Sequence, residues 1–289
     1  MLAKTRTCAL VGLDGVVVES EVDIAPGLPA FHIVGLADTA VQESKERVRA
    51  AIRNSGVEFP MRRIAVSLAP ADVRKSGPAY DLPIAVGILT STGQVPEIDS
   101  GSLMLGELSL DGSLRTTQGI LPMVAVGMQQ GFTRAFVPTV NAAEAALVSG
   151  IDIIPIENLA EMIAFLRSEI KIAPVDEPVD LNEYRMSRRE GPDISDVRGQ
   201  EHAKRAVEVA AAGGHNLLMA GPPGSGKTLL ARSLPSILPS MTSDEALDVT
   251  TIYSVAGHLP SDKPMVSERP FRAPHYTISN AGLVGGGAN

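Results

Sequence analysis

Residues 221–228 read GPPGSGKT and match the pattern G-x-x-x-x-G-K-[ST], the strongest chemical signal in the chain. The glycines let the backbone curl so that consecutive N–H groups point into a concave nest, and the helix that follows adds the positive end of its dipole. Lys227 supplies a mobile cation for the β- and γ-phosphates, and the Thr228 hydroxyl is a hard oxygen ligand suited to Mg²⁺. The spacing therefore predicts a site for ATP, or another nucleoside triphosphate, with Mg²⁺.

The flanking segments support this prediction. Residues 216–220 are apolar enough to predict a strand before the loop, and Leu229, Leu230 and Leu234 predict an amphipathic helix after it. The predicted nucleotide-binding residues of the loop are Gly221, Pro222, Pro223, Gly224, Ser225, Gly226, Lys227 and Thr228.

Hydrolysis needs more than this loop, because a P-loop ATPase also holds Mg²⁺ with an acid on a later strand. After Thr228 no apolar run ends in Asp-Glu, and the acids Asp244, Glu245 and Asp248 fall in a predicted helix over 243–255, where the helix dipole favours them. No complete catalytic set is therefore predicted, and we expect the 289 residues alone to bind ATP but to hydrolyse it poorly. The final GGGAN contains no closing element, so we expect the domain to continue.

Upstream, strands and helices alternate with hairpin signals, a pattern typical of a mixed-sheet α+β domain over residues 1–170. Asp14-Gly15 predicts a turn between strands at 7–13 and 16–24, and Asp111-Gly112 predicts a second hairpin. The remaining predicted helices are 39–54 (capped by Thr39 with Gln42), 80–91, 120–130, 142–149 (capped by Asn141) and 159–169 (capped by Asn158), and the remaining strands are 64–68, 134–137 and 151–154. Prolines and charges over 171–193 predict a linker, and 194–289 is predicted to be the nucleotide-binding part, beginning with a helix at 200–212.

Composition excludes several classes of protein. The net charge of −8 excludes a globally basic nucleic-acid binder, although not a local basic patch. Cys8 is the only cysteine, which excludes an internal disulfide and a zinc cluster and favours a reducing compartment. No apolar run approaches the ~20 residues of a membrane span, so the chain is predicted to be cytoplasmic. The five histidines lack metal-ligand spacing.

Several motifs together make the chain resemble the magnesium-chelatase-like AAA+ ATPases of the competence-protein ComM (YifB) family. Besides GPPGSGKT they are DVRGQEHAKRA (196–206), AAGGHN (211–216), RPFRAPH (269–275), FHIVGL with VQESKERV (31–36 and 41–48), APADVRKSGPAYDL (69–82) and GELSLDGSLR (106–115). They are distributed over essentially the whole chain.

This resemblance implies an AAA+ motor that assembles as a hexamer around DNA and acts in branch migration during natural transformation. It also implies that Val197, Gly199 and Gln200 lie near the adenine, and that the Walker B strand, sensors and arginine finger follow residue 289. The family often has Pro-His-His where this chain has His275-Tyr276, so no role is assigned to a second histidine. A chelatase-type motor for metal insertion stays open as an alternative. The cations and aromatics of residues 268–276 fit a DNA or subunit contact, or an ordinary surface loop.

The first part also resembles the fold of Lon-type proteases, which use a Ser-Lys dyad. Gly77-Pro78-Ala79 stands where those enzymes have Gly-Pro-Ser, and no lysine occurs between Lys75 and Lys171. A serine without a base is not an effective nucleophile. We therefore expect a ChlI-type, non-catalytic N-terminal domain, and peptidase activity is the least favoured alternative.

Overall fold

The computed structural model describes residues 2–175, 191–260 and 263–285, which form two compact units. The first unit contains residues 2–175, 247–260 and 263–266, and the second contains residues 191–246 and 267–285. Most of the predicted linker lies outside the described residues. The domain limits drawn from the sequence therefore stay a prediction, whereas the mixed α/β character of the chain is confirmed.

A four-stranded sheet organises the first unit, with strand order β1-β2-β4-β3. The strands are β1 (Leu2–Val11), β2 (Asp14–Ala25), β3 (Ala30–Val34) and β4 (Arg63–Ala69). β2 is antiparallel to both of its neighbours, and β3 runs parallel to β4. Alternate residues of β4, namely Ile64, Val66 and Leu68, are buried, as the sequence pattern predicted.

The first hairpin turns two residues earlier than predicted. Val11 pairs with Asp14, so the connecting residues are Gly12 and Leu13 rather than Asp14-Gly15. Gly12 has φ +65°, whereas Gly15 is part of β2 and pairs with Leu10. A two-residue loop with glycine first gives the positive φ that a tight hairpin requires at that position.

Helix α2 (Asp81–Ser91) packs against β1 and β2 of this sheet, and α1 (Thr39–Asn54) packs against α2. Asp38 caps α1, because its Oδ1 accepts a hydrogen bond from the amide of Val41 (2.9 Å); the predicted Thr39 cap was wrong. Asp38 stands one residue earlier and leaves Thr39 inside the first turn. All residues of α2 are buried, so α2 is a core helix of this unit.

A second sheet of three parallel strands has the order β5-β8-β9. The elements here are β5 (Ser102–Met104), β6 (Glu107–Leu108), β7 (Leu114–Arg115), α3 (Ile120–Gln129), β8 (Arg134–Pro138), α4 (Ala142–Ala145), β9 (Asp152–Ile156) and α5 (Leu159–Leu166). β6 and β7 form the hairpin predicted at Asp111-Gly112. α4 is shorter than predicted, because the amides of Leu147 and Val148 bond three residues back instead of four.

The two predicted asparagine caps behave differently. Asn158 accepts a hydrogen bond from the amide of Glu161 (2.9 Å) and caps α5, as predicted. Asn141 does not cap α4: its Oδ1 accepts from the amide of Thr117 (2.9 Å), and its Nδ2 donates to the carbonyl of Thr117 (3.0 Å). A buried amide group that pairs in both directions with one distant residue is not available to a helix end.

The second unit contains α6 (Glu201–Gly213), α7 (Lys227–Ser233), the start of α8 (Ser243–Val255) and α9 (Asn280–Val284). The predicted strand at 216–220 was wrong, because these residues carry no strand pairing in the described part of the chain. A strand exists only where a neighbouring segment pairs with it, and the described residues of this unit supply none. The helix after the loop is confirmed. Over the described residues, no helix is long and apolar enough to cross a bilayer.

Residues of α8 from 247 onward belong to the first unit, where Ser254 is hydrogen-bonded to Glu144. The buried Glu144 carboxylate accepts hydrogen bonds from the amide of Leu121 (3.1 Å), from Asn141 Nδ2 (3.0 Å) and from the Ser254 hydroxyl. The carbonyl of Ser254 accepts in turn from the amide of Gly119 (3.1 Å). Glu144 therefore satisfies an amide in the first turn of α3, which has no side-chain cap at Gly119.

Candidate functional site

The loop predicted from the sequence leads directly into α7. Gly226 is the N-cap residue of that helix, with φ +84°, and Gly224 has φ +78°. Glycine adopts this left-handed conformation without steric cost, and the two such residues bend the backbone into the curl that a P-loop needs. The amides at the start of α7 are the unsatisfied donors of a helix N-terminus, so the loop is suited to an anion.

Lys227 lies against the loop that it is predicted to serve. Its Nζ donates to the carbonyl oxygens of Gly221 (2.9 Å) and Pro222 (2.8 Å) and lies 3.2 Å from the Ser225 hydroxyl. Thr228 is exposed in the first turn of the same helix. The structure thus places the ammonium group, the hydroxyl and the helix N-terminus within one short segment.

One of the three residues implied to lie near a base contacts the loop. Gln200 Nε2 donates to the carbonyl of Ser225 (3.4 Å), and both Gly199 and Gln200 have positive φ, at +67° and +59°. Val197 is buried in the small core of the second unit, with Val207 and Leu230. Gln200 therefore contacts the glycine-rich loop directly, whereas Val197 packs in the core of the second unit.

The structure assigns Glu245, one of the three acids after the loop, to helix capping. The Thr242 hydroxyl accepts from the amide of Glu245 (3.1 Å), and Glu245 accepts from the amide of Thr242 (2.9 Å), a reciprocal capping box at the start of α8. The hydrogen bond from the Thr242 amide, with a further one from Arg269, lowers the pKa of Glu245. In the described part of the chain, no group of three or more His, Cys, Asp or Glu residues is arranged to hold a metal ion.

Arg269 was part of the predicted DNA or subunit contact, but its guanidinium is used inside the second unit. It donates to Glu245 (2.9 Å) and to the carbonyl of Pro239 (2.9 Å). The His275 and Tyr276 rings lie 4.3 Å apart, and Tyr276 is 91% exposed. Sequence reasoning missed the role of Arg269, because no local pattern links it to a carboxylate 24 residues earlier.

A cavity of about 300 Å³ in the first unit is lined by Ser76 to Tyr80 and by Cys8. Burial raises the pKa of the Cys8 thiol to about 12, so the thiol is protonated at neutral pH. Lys75 is fully buried, its Nζ donates to the carbonyl of Pro70, and burial lowers its pKa. Ala79 supplies no hydroxyl to this cavity, and the protonated Cys8 thiol is a poor nucleophile.

Comparisons with known proteins agree with this arrangement. Family models described as subunit ChlI of Mg-chelatase match residues 20–141 and 193–289. YifB of Escherichia coli is 39% identical over 289 residues, and competence protein ComM of Haemophilus influenzae is 39% identical over 290 residues.

The chain belongs to the magnesium-chelatase-like family of YifB and ComM. It covers 56% of the length of each of these two relatives, and the matches take in 99% of the chain. Lon protease 2 of Bacillus subtilis is 27% identical over 135 residues, 46% of this chain and 23% of that protein. The fold is therefore a Lon-like N-terminal part followed by the start of an AAA+ module.

Proposed function

We propose that residues 221–228 bind the phosphates of ATP together with Mg²⁺. The observation that supports this most strongly is the curled loop at the N-terminus of α7, with Lys227 Nζ against its carbonyls. In this proposal the loop amides bind the phosphate oxygens, Lys227 exchanges carbonyl partners for phosphate, and Thr228 is a ligand of Mg²⁺. The bound metal neutralises charge on the phosphates.

Specificity for the nucleotide base is assigned to the segment before α6. Gln200 contacts Ser225 of the loop, so a nucleotide held by the loop extends towards Gly199 and Gln200. Val197 supports this segment from the core, where it packs with Val207 and Leu230. We therefore assign Val197, Gly199 and Gln200 to the adenine side of the site.

The wider role we propose is that of an ATP-driven, DNA-remodelling motor in the cytoplasm, active as a ring of several copies, six in the family pattern. The name of the relative ComM favours natural transformation or recombination as the process. No apolar run after Thr228 ends in Asp-Glu, so the 289 residues alone bind nucleotide with little turnover. ATPase activity is accordingly expected of the complete reading frame.

The test of the site is titration of the 289-residue chain with a fluorescent ATP analogue and Mg²⁺. Lys227→Ala should weaken binding at least about tenfold, since an interaction of roughly 1.4 kcal/mol with phosphate is lost. Lys204→Ala is the matched control, because it removes a cation of the same unit whose partner is Glu201 on the surface of α6. Equal affinity of wild type and Lys227→Ala would overturn the assignment.

A second candidate function rests on the family models themselves, which describe a Mg-chelatase subunit. In that case ATP would drive insertion of a metal ion into a tetrapyrrole. The complete reading frame distinguishes the two roles when it is assayed for unwinding of branched DNA and, in parallel, for metallation of a porphyrin. Unwinding without metallation supports the DNA motor, and the reverse supports the chelatase. A peptidase is the weakest candidate, because Ala79 lacks a nucleophile.

A further inference from the structure

Strand β3 forms a free edge of the four-stranded sheet. Within the described residues it pairs only with β4, and the amide of Ala30 donates to the carbonyl of Arg62 (3.3 Å). In a parallel pair alternate residues bond to the neighbouring strand, so Ala30, His32 and Val34 bond towards β4. The backbone groups of Phe31 and Ile33 therefore face away from the sheet. The Gln42 side chain contacts this edge with a long hydrogen bond to the Ile33 carbonyl (3.4 Å).

Apolar side chains are exposed along this edge. Leu28 is 88% exposed, Met61 71%, Val34 61% and Leu36 60%, and these four are the most exposed large hydrophobic side chains among the described residues of the first unit. Leu28 and Leu36 flank β3, and Met61 precedes Arg62, which bonds to Ala30. Val34 and Leu36 are two residues apart in sequence, and exposed apolar side chains that lie together mark interaction surfaces more often than scattered ones do.

The edge also lacks the charges that usually protect such strands. Residues 28–36 read LPAFHIVGL and contain no Asp, Glu, Lys or Arg. The acids Glu19 and Glu21 belong to β2, from which β4 separates β3, and they pair with Lys4 on β1. Two copies of a chain with net charge −8 repel each other overall. The edge of β3 is a place where they can approach without bringing carboxylates together.

The sequence of the edge is complementary to itself in one antiparallel register. With His32 opposite His32 of a second copy, Ala30 lies opposite Val34 on both sides of the axis, so that apolar residues meet within the strand Ala30–Val34. Phe31 and Ile33 of the two copies then exchange backbone hydrogen bonds, which releases the Gln42 contact. Pro29 has no N–H and ends this ladder.

We propose that the free edge of β3 is a two-fold interface at which two copies of this chain pair as antiparallel strands, centred on His32. The four exposed side chains offer about 500 Å² per copy, or about 1,000 Å² for the pair, the lower limit of specific interfaces. The dimer therefore dissociates on dilution. All participating residues belong to the first unit, and none is in the loop assigned to the nucleotide.

Cysteine cross-linking of the 289-residue chain tests the interface and its register. The only native cysteine, Cys8, is fully buried and gives no background. In the proposed register the two Cα atoms of residue 32 form a non-hydrogen-bonded pair about 4.5 Å apart, within disulfide range, so His32→Cys should form a covalent dimer under mild oxidation. Two copies of residue 34 are about 14 Å apart, so Val34→Cys, on the same strand and face, should stay monomeric.

A mixture of the Ala30→Cys and Val34→Cys chains should form a mixed disulfide. Either variant alone should form much less of its own disulfide dimer. Sedimentation without oxidant provides an independent readout: Val34→Lys should abolish the concentration-dependent dimer, whereas Leu110→Lys, a change at another exposed apolar residue (58%), should preserve it. Lys227→Ala should dimerise like the wild type. Equal cross-linking of His32→Cys and Val34→Cys, no cross-linking of either, or a wild type that remains monomeric at every concentration would each overturn the proposal.

Discussion

Replacing Arg47 by methionine is predicted to cost the first unit about 3–5 kcal/mol of unfolding free energy, because it leaves a buried carboxylate without its counterion. Arg47 Nε lies 2.6 Å from Asp81 Oδ2 and Nη2 lies 3.1 Å from Oδ1, a bidentate pair. The Asp81 side chain is 0% exposed, and the amide of Leu108 is a further donor to it (3.2 Å). The pair also joins α1 to the start of α2, so its loss affects the core.

The cost in Arg47→Met should depend on pH. Burial raises the pKa of Asp81 above that of an ordinary aspartate, and the hydrogen bond from Arg47 opposes the rise. A carboxyl group with a raised folded-state pKa binds its proton more tightly in the folded protein. Its ionisation therefore lowers the unfolding free energy at neutral pH, and this loss begins to shrink as pH falls through the folded-state pKa and is gone below the unfolded-state pKa. Without Arg47 this loss grows. The deficit of the variant relative to wild type should therefore narrow on acidification.

Guanidinium unfolding followed by far-UV circular dichroism measures this effect, with the m value as a check that both proteins unfold alike. Arg49→Met is the matched control on the same helix, since Arg49 pairs at 3.3 Å with Glu46, which is 75% exposed, and should cost less than about 1 kcal/mol. The double variant Arg47→Met/Asp81→Asn should regain part of the lost unfolding free energy, because a neutral amide needs no counterion. The reasoning fails if Arg47→Met costs no more than Arg49→Met.

Three further predictions concern the first unit. The buried hydroxyl of Thr7 has no hydrogen-bond partner among the described atoms. Thr7→Val should therefore raise the unfolding free energy by about 1 kcal/mol. A lower unfolding free energy in the same guanidinium titration would contradict this. Glu144→Ala removes the acceptor of the Leu121 amide and of the Ser254 hydroxyl, and one of the two acceptors of Asn141 Nδ2, so it should cost about 2–4 kcal/mol of unfolding free energy. Hydrogen exchange at the Gly119 amide should accelerate, and unchanged protection there would show that Glu144 does not hold Ser254. Burial raises the pKa of Cys8 to about 12, so the thiol stays protonated at pH 8. It should react with a disulfide reagent only after denaturation. Rapid labelling of the folded chain would refute the burial of Cys8.

The sequence predicts those elements that depend on local pattern. The alternation in β4 and the hydrophobic run of α2 give these elements nearly at their observed limits. The first hairpin was misplaced because two glycine-containing turns compete there, at Gly12 and at Gly15, and the choice depends on which register buries the right residues of β2. Register is a property of two strands, so neither dipeptide specifies it alone.

Contacts between distant residues were not predictable. Ser254 and Glu144 are 110 residues apart in sequence, and nothing near Glu144 indicates that it binds a helix residue so far along the chain. Asn141 followed by Glu144 matched a helix cap by type and spacing, but Thr117 takes the amide instead. Similarly, residues 216–220 have the composition of a strand, whereas strand formation depends on a partner segment that the local sequence does not specify.

The candidate site also has one part that the local sequence predicts and one part that depends on contacts between distant residues. The eight residues of the loop are consecutive, so their chemistry can be read without a fold, and the structure adds the left-handed glycines and the position of Lys227 Nζ. By contrast, the contact of Gln200 with Ser225 links residues 25 apart, and only the family resemblance indicated that Gln200 lies near the bound nucleotide. The proposal of phosphate binding therefore rests on this chain's own residues, whereas the proposed assignment of the base depends on the contact of Gln200 with the loop. A variant of Gln200 that alters the preference for ATP over GTP, without changing affinity for inorganic triphosphate, would separate these two contributions.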